Sequence, residues 1–428
     1  MRPFHSVLAA VFAIPCAAAI ALAQRTDVFV ESINHPVIAY RTAPVHDAVA
    51  DLDEKLQHGS IQLAFDRDTG YLRATLDALK VPIESQTLVF SQTSAQAKQI
   101  GPRTPRAVYF NETVAVGWVR GADVLELAAQ DRHQGVVFYT LDQKRTDAPR
   151  LTRDNTCLLC HLTWDTLGVP GLQMLSTFQM SDDPNAYAGG IVVDHRSPLS
   201  QRWGGWYVTG KAGSGPHVGN IPVVVPAEEL DKAPRRPPVL ESVAGVFDTT
   251  GYPSRHSDVV ALMVLAHQAH MTNSITRMGW EARVAEAAGL GPDRMPPRVR
   301  EAAGDLVDYL LFIDEAPLAG RLEGSSGFAE RFAAQGPRDS KGRSLRQLDL
   351  RQRLLRYPCS YMIYAPAFDA LPSSAKRLIY SRMWQILSGD DQGARYARLA
   401  QADRQAMVEI LRDTKSDLPE DFRRAARW

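Results

Sequence analysis

The 428-residue chain has little cysteine and no excess of either charge. Its four cysteines are too few for the disulfide framework that stabilises small exported proteins. Lys plus Arg and Asp plus Glu both total 48, so the chain lacks the basic excess of a nucleic-acid-binding protein. Low-complexity tracts are also absent. Because 45% of the residues are hydrophobic, we expect a globular protein with substantial packed cores and no nucleic-acid partner.

Long apolar runs are absent except at the N-terminus, where residues 7–20 carry no charge. Ala21-Leu22-Ala23 then provides the small-x-small pattern that signal peptidase cleaves. The sequence therefore predicts a signal peptide over residues 1–23, no membrane span after its cleavage, and a periplasmic or secreted bacterial protein. An uncleaved anchor is the alternative, but a bilayer span needs roughly 20 apolar residues. Cys16 lies inside the apolar run without the small residue that usually precedes a lipid-bearing cysteine.

The most specific motif is the C-x-x-C-H formed by Cys157, Cys160 and His161. A thioredoxin-like redox pair would need a βαβ context and not the histidine, and a zinc site would need a second ligand pair at a regular offset. Neither context is present in the sequence. Covalent haem attachment uses all three residues, because the two thiols add to the haem vinyl groups and the histidine binds iron. The motif thus predicts one haem c with His161 as the proximal ligand.

This motif resembles that of the c-type cytochromes. Three further segments are similar to large exported bacterial proteins that contain a cytochrome c domain, namely RWGGWYVTG at 202–210, PHVGN at 216–220 and HSDVVALMVLAHQ at 256–268. The resemblance implies haem binding but no particular activity. Small class I cytochromes differ, because there the motif lies near the N-terminus, whereas here a long segment precedes it.

The sixth iron ligand would decide the chemistry, and the sequence offers several candidates. His267, within an apolar helical segment, is the first choice, and His217, in a glycine-rich loop, is the second. A buried hydrogen-bonded core histidine is the alternative for His267, and an ordinary loop histidine is the alternative for His217. Met174 and Met180 follow the motif closely, and methionines more often fill cores than bind iron.

The sequence also contains residues that could contact the predicted haem. The haem propionates would suit an arginine fork, and the candidates are Arg202, Arg255 and Arg277. The aromatic residues near the motif would either wall the porphyrin or form sheet core, and they are Trp164, Trp203, Trp206 and Tyr207. Cys359 is predicted to be a small buried residue, since free cysteines are usually buried.

The hydrophobic periodicity predicts an α+β fold, with a β-rich N-terminal half and a helical C-terminal half around the haem site. Short β-branched and aromatic runs between residues 88 and 143 predict an antiparallel meander. From Ser257 onward, helical spacing dominates. The predicted divisions are a β-rich region over 24–150, a haem-attachment region with strands over 151–250, and a helical region over 251–428.

Together these features predict a periplasmic c-type cytochrome with one covalent haem, acting in redox chemistry or electron transfer with an unknown redox partner protein or small oxidant. The alternative is a single-haem peroxidase-like or oxygenase-like enzyme with an open distal site. Iron coordination distinguishes the two, because a carrier needs a strong sixth ligand and an enzyme an exchangeable one.

Overall fold

The computed structural model describes residues 32–177, 190–221 and 237–423, so the predicted signal peptide and Met180 lie outside the described residues. Within these ranges the N-terminal half is dominated by an antiparallel sheet and the C-terminal half by helices. The predicted α+β class is therefore confirmed.

Seven strands form the main sheet in the order β6-β5-β4-β3-β2-β1-β9, with every neighbouring pair antiparallel. They are β1 (Thr87–Val89), β2 (Arg106–Phe110), β3 (Val114–Trp118), β4 (Val124–Asp131), β5 (Gly135–Asp142), β6 (Leu151–Arg153) and β9 (Trp206–Tyr207). The predicted meander is confirmed, because β1 to β5 pair in chain order. The sheet also takes β6 and β9 from beyond residue 150. Two short pairs complete the strands: β7 (Leu175–Ser176) with β8 (Ile191–Val192), and β10 (Lys211–Ala212) with β11 (Leu322–Glu323).

The two faces of the sheet bury different partners, as period-2 alternation requires. Leu125 and Leu127 of β4 belong to a core that also includes buried residues of helices α1 (Ala48–Gln57) and α2 (Leu72–Ala78). Asp47 caps α1 and accepts a 2.6 Å hydrogen bond from the hydroxyl of Tyr139, which fixes the helix to β5. The opposite face of the sheet packs against the helical half and against the C-x-x-C-H segment.

Within the described ranges, the remaining helices comprise one in the C-x-x-C-H segment and seven in the C-terminal half, where helical spacing dominates the sequence. They are α3 (Leu158–His161), α4 (Val259–Ala287), α5 (Pro297–Leu310), α6 (Phe328–Ala334), α7 (Pro366–Asp369), α8 (Ser373–Leu387), α9 (Gln401–Thr414) and α10 (Glu420–Arg423). Across the three described ranges, none of the helices is both long enough and apolar enough to cross a membrane.

Helix α4 is the central element of the helical half and is buried on nearly all sides. The buried Asp258 caps it, since Oδ1 accepts from Val260 N and Ala261 N. The other carboxylate oxygen accepts from the backbone N–H groups of Ser325 and Ser326, which ties the start of α4 to the chain preceding α6. Because α4 also touches the sheet and the loop that follows the C-x-x-C-H motif, it sets the position of that motif.

Candidate functional site

The C-x-x-C-H motif lies in a short helical segment directly after strand β6. The side chain of Asp154 accepts hydrogen bonds from the backbone N–H of Thr156 at 2.8 Å and from its hydroxyl at 2.6 Å. A 3₁₀ turn over Asn155–Cys157 then leads into α3. Asp154 is thus the cap among the three residues at 154–156 that suit that role. This local structure places Cys157, Cys160 and His161 within one short helical segment.

His161 is held in one tautomer by the loop that follows it. Its Nδ1 donates to the carbonyl oxygen of Gly171 at 2.9 Å, so Nδ1 carries the hydrogen. Burial lowers the pKa of His161 below its usual value, and the ring therefore stays neutral at neutral pH. Nε2 has no hydrogen-bond partner among the residues that the structure describes. A neutral imidazole with a free Nε2 and an engaged Nδ1 is the arrangement that metal-binding histidines adopt.

The carbonyl that holds His161 is itself fixed by helix α4. The Asn273 side chain accepts from the backbone N–H of Leu172 at 2.9 Å and donates to the carbonyl of Leu172 at 2.7 Å. A Cβ atom at Gly171 would lie 2.2 Å from Oδ1 of Asn273, so only glycine fits at that position. The orientation of His161 therefore depends on a contact between segments about a hundred residues apart in sequence.

The two cysteines of the motif are both free, and they differ in exposure. Cys160 is exposed and Cys157 is half-buried. Burial, with smaller contributions from the nearby Asp154 and Glu126 carboxylates, raises the pKa of Cys157 to about 11. A catalytic redox pair needs a thiol of lowered pKa, so this environment does not favour thioredoxin-like chemistry.

A zinc site made from protein ligands alone also lacks support. Within the described ranges, no group of three or more His, Cys, Asp and Glu residues is arranged to hold a metal ion. Two large apolar side chains beside the motif are instead exposed, Leu159 at 86% and Trp164 at 56% exposure. Exposed apolar side chains suit an apolar partner or cofactor.

The sheet provides the other side of the site. The ring of Phe138 in β5 lies 4.8 Å from the ring of His161, and Phe138 pairs with Ala128 of β4. Two residues along the same face of β4, Glu126 forms a 2.7 Å ion pair with Arg106 of β2. The buried Nε of Arg106 has no hydrogen-bond partner among the residues at 32–177, 190–221 and 237–423. This ion pair was not predictable from the sequence, because strand alternation shows that two residues share a face but not what lies over that face.

Within the described ranges, His267 has contacts in the helical half and not with His161 or the sheet residues beside it. Its Nδ1 shares a hydrogen with Nδ1 of His195 at 2.8 Å, and its Nε2 is 2.7 Å from the hydroxyl of Ser360. Its ring stacks between Tyr309 and Phe312 in the fully buried helical core. With both nitrogens engaged, His267 has the environment of a hydrogen-bonded core histidine. Iron binding by His267 stays a prediction that this arrangement does not support.

His217 is also placed in a different environment from His161. Its Nδ1 accepts from the backbone N–H of Gly219 at 3.1 Å, and its ring meets Trp203 edge to face at 5.2 Å. Burial lowers the pKa of His217 to about 4. No contact of His217 in the described ranges joins the surroundings of His161, and its role as a distal ligand stays a prediction.

The three arginines predicted to bind propionates lie elsewhere in the described structure. Arg202 is buried and donates to the backbone carbonyls of His195 and Ser197. Arg277 pairs with Asp305 at 3.0 Å, and Arg255 is exposed on a loop. None of these contacts involves the C-x-x-C-H segment. The arginine placed beside the motif is Arg106.

The remaining predicted residues divide between core and surface. Trp203, Trp206 and Met174 belong to the core cluster of the helical half, and Tyr207 belongs to the core between the sheet and α1 and α2. Trp206 also donates to the carbonyl of Leu175 at 2.7 Å. Cys359 is fully buried, and burial raises its pKa, which confirms the prediction of a small buried residue.

Comparisons of the chain with protein-family models, with curated proteins and with solved structures return no match.

Proposed function

We propose that this chain is an exported c-type cytochrome that carries one haem on Cys157 and Cys160, with His161 as the proximal iron ligand, and acts in electron transfer. The observation that carries the proposal is the hydrogen bond from Nδ1 of His161 to the Gly171 carbonyl. It leaves a neutral Nε2 beside two free thiols on the same short helical segment. A thiol pair alone has no need for a histidine fixed in this way, and no group of three or more His, Cys, Asp and Glu residues within the described ranges is arranged to hold zinc.

The residues present fit the group. The cysteines at i and i+3 supply the thioether sulfurs, and Leu159 and Trp164 supply exposed apolar surface for a flat macrocycle. When bound, the haem supplies one-electron chemistry at its iron, with a potential set by ligation, burial and nearby charge. The chain's own contribution is to hold Nε2 of His161 in position and to place the Arg106–Glu126 pair close to it.

The exposure of Cys160 supports the proposed role in electron transfer. Because this thiol lies at the surface, the attached edge of the macrocycle would be accessible to a redox partner protein or a small oxidant. The periplasm is the proposed location, since the predicted signal peptide leads to the compartment where thioether haem attachment occurs.

An absorption spectrum of the protein produced in a host with haem-attachment machinery tests the proposal. We expect a pyridine haemochrome typical of a macrocycle with both vinyl groups saturated, and a low-spin spectrum that carbon monoxide and peroxide do not alter. A chain without covalent haem would contradict the whole proposal. A high-spin spectrum that shifts on adding carbon monoxide or peroxide would keep the haem and replace the carrier with the single-haem enzyme.

Substituting Arg106 is expected to change the reduction potential. R106M removes a positive charge beside His161 and leaves Glu126 unpaired, which favours the oxidised iron. The potential should therefore fall, by roughly several tens of millivolts for a unit charge at partial burial. A redox titration measures the shift. R353M is the matched control, because Arg353 has a similarly buried side chain and pairs with Asp403 in the helical half, and an equal shift there would contradict the assignment.

A further inference from the structure

A cavity lies between the sheet and the helical half, and the residues that line it do not include the C-x-x-C-H segment. Its volume is about 310 Å³, which is at the lower end of the range for small-molecule sites. The walls come from α4, from α6 and from the turn between β2 and β3. An adjoining space of about 10 Å³, enough for about one water, extends toward Leu172. The residues that line the larger cavity include neither the C-x-x-C-H segment nor Gly171 and Leu172.

The walls of this cavity are fixed by hydrogen bonds between distant segments. Nε2 of Gln268 in α4 donates to the backbone carbonyl of Asn111 at 2.5 Å, and its Oε1 accepts from the hydroxyl of Tyr361 at 2.9 Å. Gln268 lines the cavity with its own polar groups already satisfied. The cavity is thus preformed, and a ligand would lose little free energy in organising it.

A buried cation lies at one wall of the cavity. Arg346 is only 4% exposed, and its guanidinium stacks 4.8 Å from the ring centre of Phe332 and 4.4 Å from that of Tyr361. Glu112 forms an ion pair with one of its nitrogens. Within the described part of the chain, Glu112 is the side-chain partner of this guanidinium, which carries five N–H donors. Because Arg346 also lines the cavity, its guanidinium is placed to bind an acceptor there as well as Glu112.

The charges around the cavity leave a net positive field. Arg331 and Lys80 also line the cavity. Glu84 does not line it, but its carboxylate lies 3.5 Å from the guanidinium of Arg331. Counting the three cations against Glu112 and Glu84 leaves one positive charge in excess. Aromatic side chains cover much of the rest of the wall, contributed by Phe110, Phe328 and Phe332.

We propose that this cavity binds a small organic monocarboxylate with an apolar body the size of an aromatic ring. The single excess charge matches one carboxylate, which Arg346 and Arg331 would bind through charge-assisted hydrogen bonds. The phenylalanine rings would pack against the apolar body. This proposal is independent of the haem, because none of its residues belongs to the C-x-x-C-H site.

Isothermal titration of the purified full-length chain with 3-phenylpropionate tests the proposal. We expect saturable one-to-one binding, at least about tenfold weaker binding of the neutral 3-phenylpropanamide, and weaker binding of inorganic phosphate, which lacks the apolar body. R331E should weaken 3-phenylpropionate binding by about tenfold or more, since it reverses a charge at the wall. Arg331 has a half-exposed side chain, so the variant is expected to fold.

R298E is the matched control, because Arg298 has a similarly exposed side chain and pairs with Glu281 away from the cavity. Its affinity for 3-phenylpropionate should equal that of the unmodified chain. Absence of saturation up to about 10 mM would overturn the proposal, since a ligand of this size in a matching cavity is expected to bind with a Kd in the low millimolar range or below. Equal affinity for the amide or for phosphate, or an equal effect of R298E, would also overturn it.

Discussion

Replacing Cys157 and Cys160 together by serine is expected to abolish covalent haem attachment. Both thiols are free, and they lie on one short helical segment with His161, so each supplies one thioether bond in the proposed cytochrome. Serine hydroxyls are nearly isosteric but do not add to the haem vinyl groups. The double variant should therefore lose all haem that survives denaturing electrophoresis, as haem staining and the pyridine haemochrome would show.

Cys359→Ser is the matched control for this experiment. Cys359 is fully buried in the helical core, remote in sequence from the motif, and its substitution should leave haem attachment intact. Each single variant at Cys157 or Cys160 should give a haemochrome intermediate between those of two and no saturated vinyl groups. Covalent haem remaining in the double variant would show that these cysteines are not the attachment sites.

Acidification is expected to destabilise the protein through the buried histidine at position 267. Burial lowers the pKa of His267 from 6.5 to about 3, and its ring is held neutral between His195 and Ser360. Between pH 6.5 and pH 3 the unfolded chain binds a proton that the folded chain does not. Stability contributed by this residue is therefore full above pH 6.5 and falls as the pH falls.

The contribution is large enough to measure by denaturant unfolding. From pH 6.5 to pH 5 the loss from one such histidine is about 2 kcal/mol, since each pH unit is worth about 1.4 kcal/mol. Glu315 opposes it, because burial raises the pKa of that carboxyl to about 7 and stability from this group increases as the pH falls. The informative quantity is thus the difference in unfolding free energy between the unmodified chain and H267Q.

That difference should shrink by about 2 kcal/mol between pH 6.5 and pH 5, because H267Q has no group to titrate at this position. Met263→Leu, one turn earlier in α4, is the control. It also disturbs the buried core but removes no titrating group, so its destabilisation should not depend on pH. A constant difference for H267Q across this range would contradict the assignment of His267 as a buried neutral residue.

The local pattern of apolar residues was sufficient to predict most of the strands and long helices. The β-branched and aromatic runs between residues 88 and 143 predicted β1 to β5, and helical spacing from Ser257 onward predicted the long helices α4, α5, α8 and α9. These elements follow from side-chain periodicity, which a single sequence displays directly. The pairing of β9 with β1 was not predictable in the same way, because it joins residues more than a hundred positions apart.

For the site, the sequence by itself determined the C-x-x-C-H motif and the buried state of Cys359, since each depends on residue type and near neighbours. The tertiary structure alone decided that Gly171 holds His161 and that Arg106 and Glu126 lie beside it. It also decided the surroundings of His267. Spacing places a histidine on one face of a helix but does not identify what packs against that face. Whether such a residue binds a cofactor or completes a core depends on contacts between distant segments.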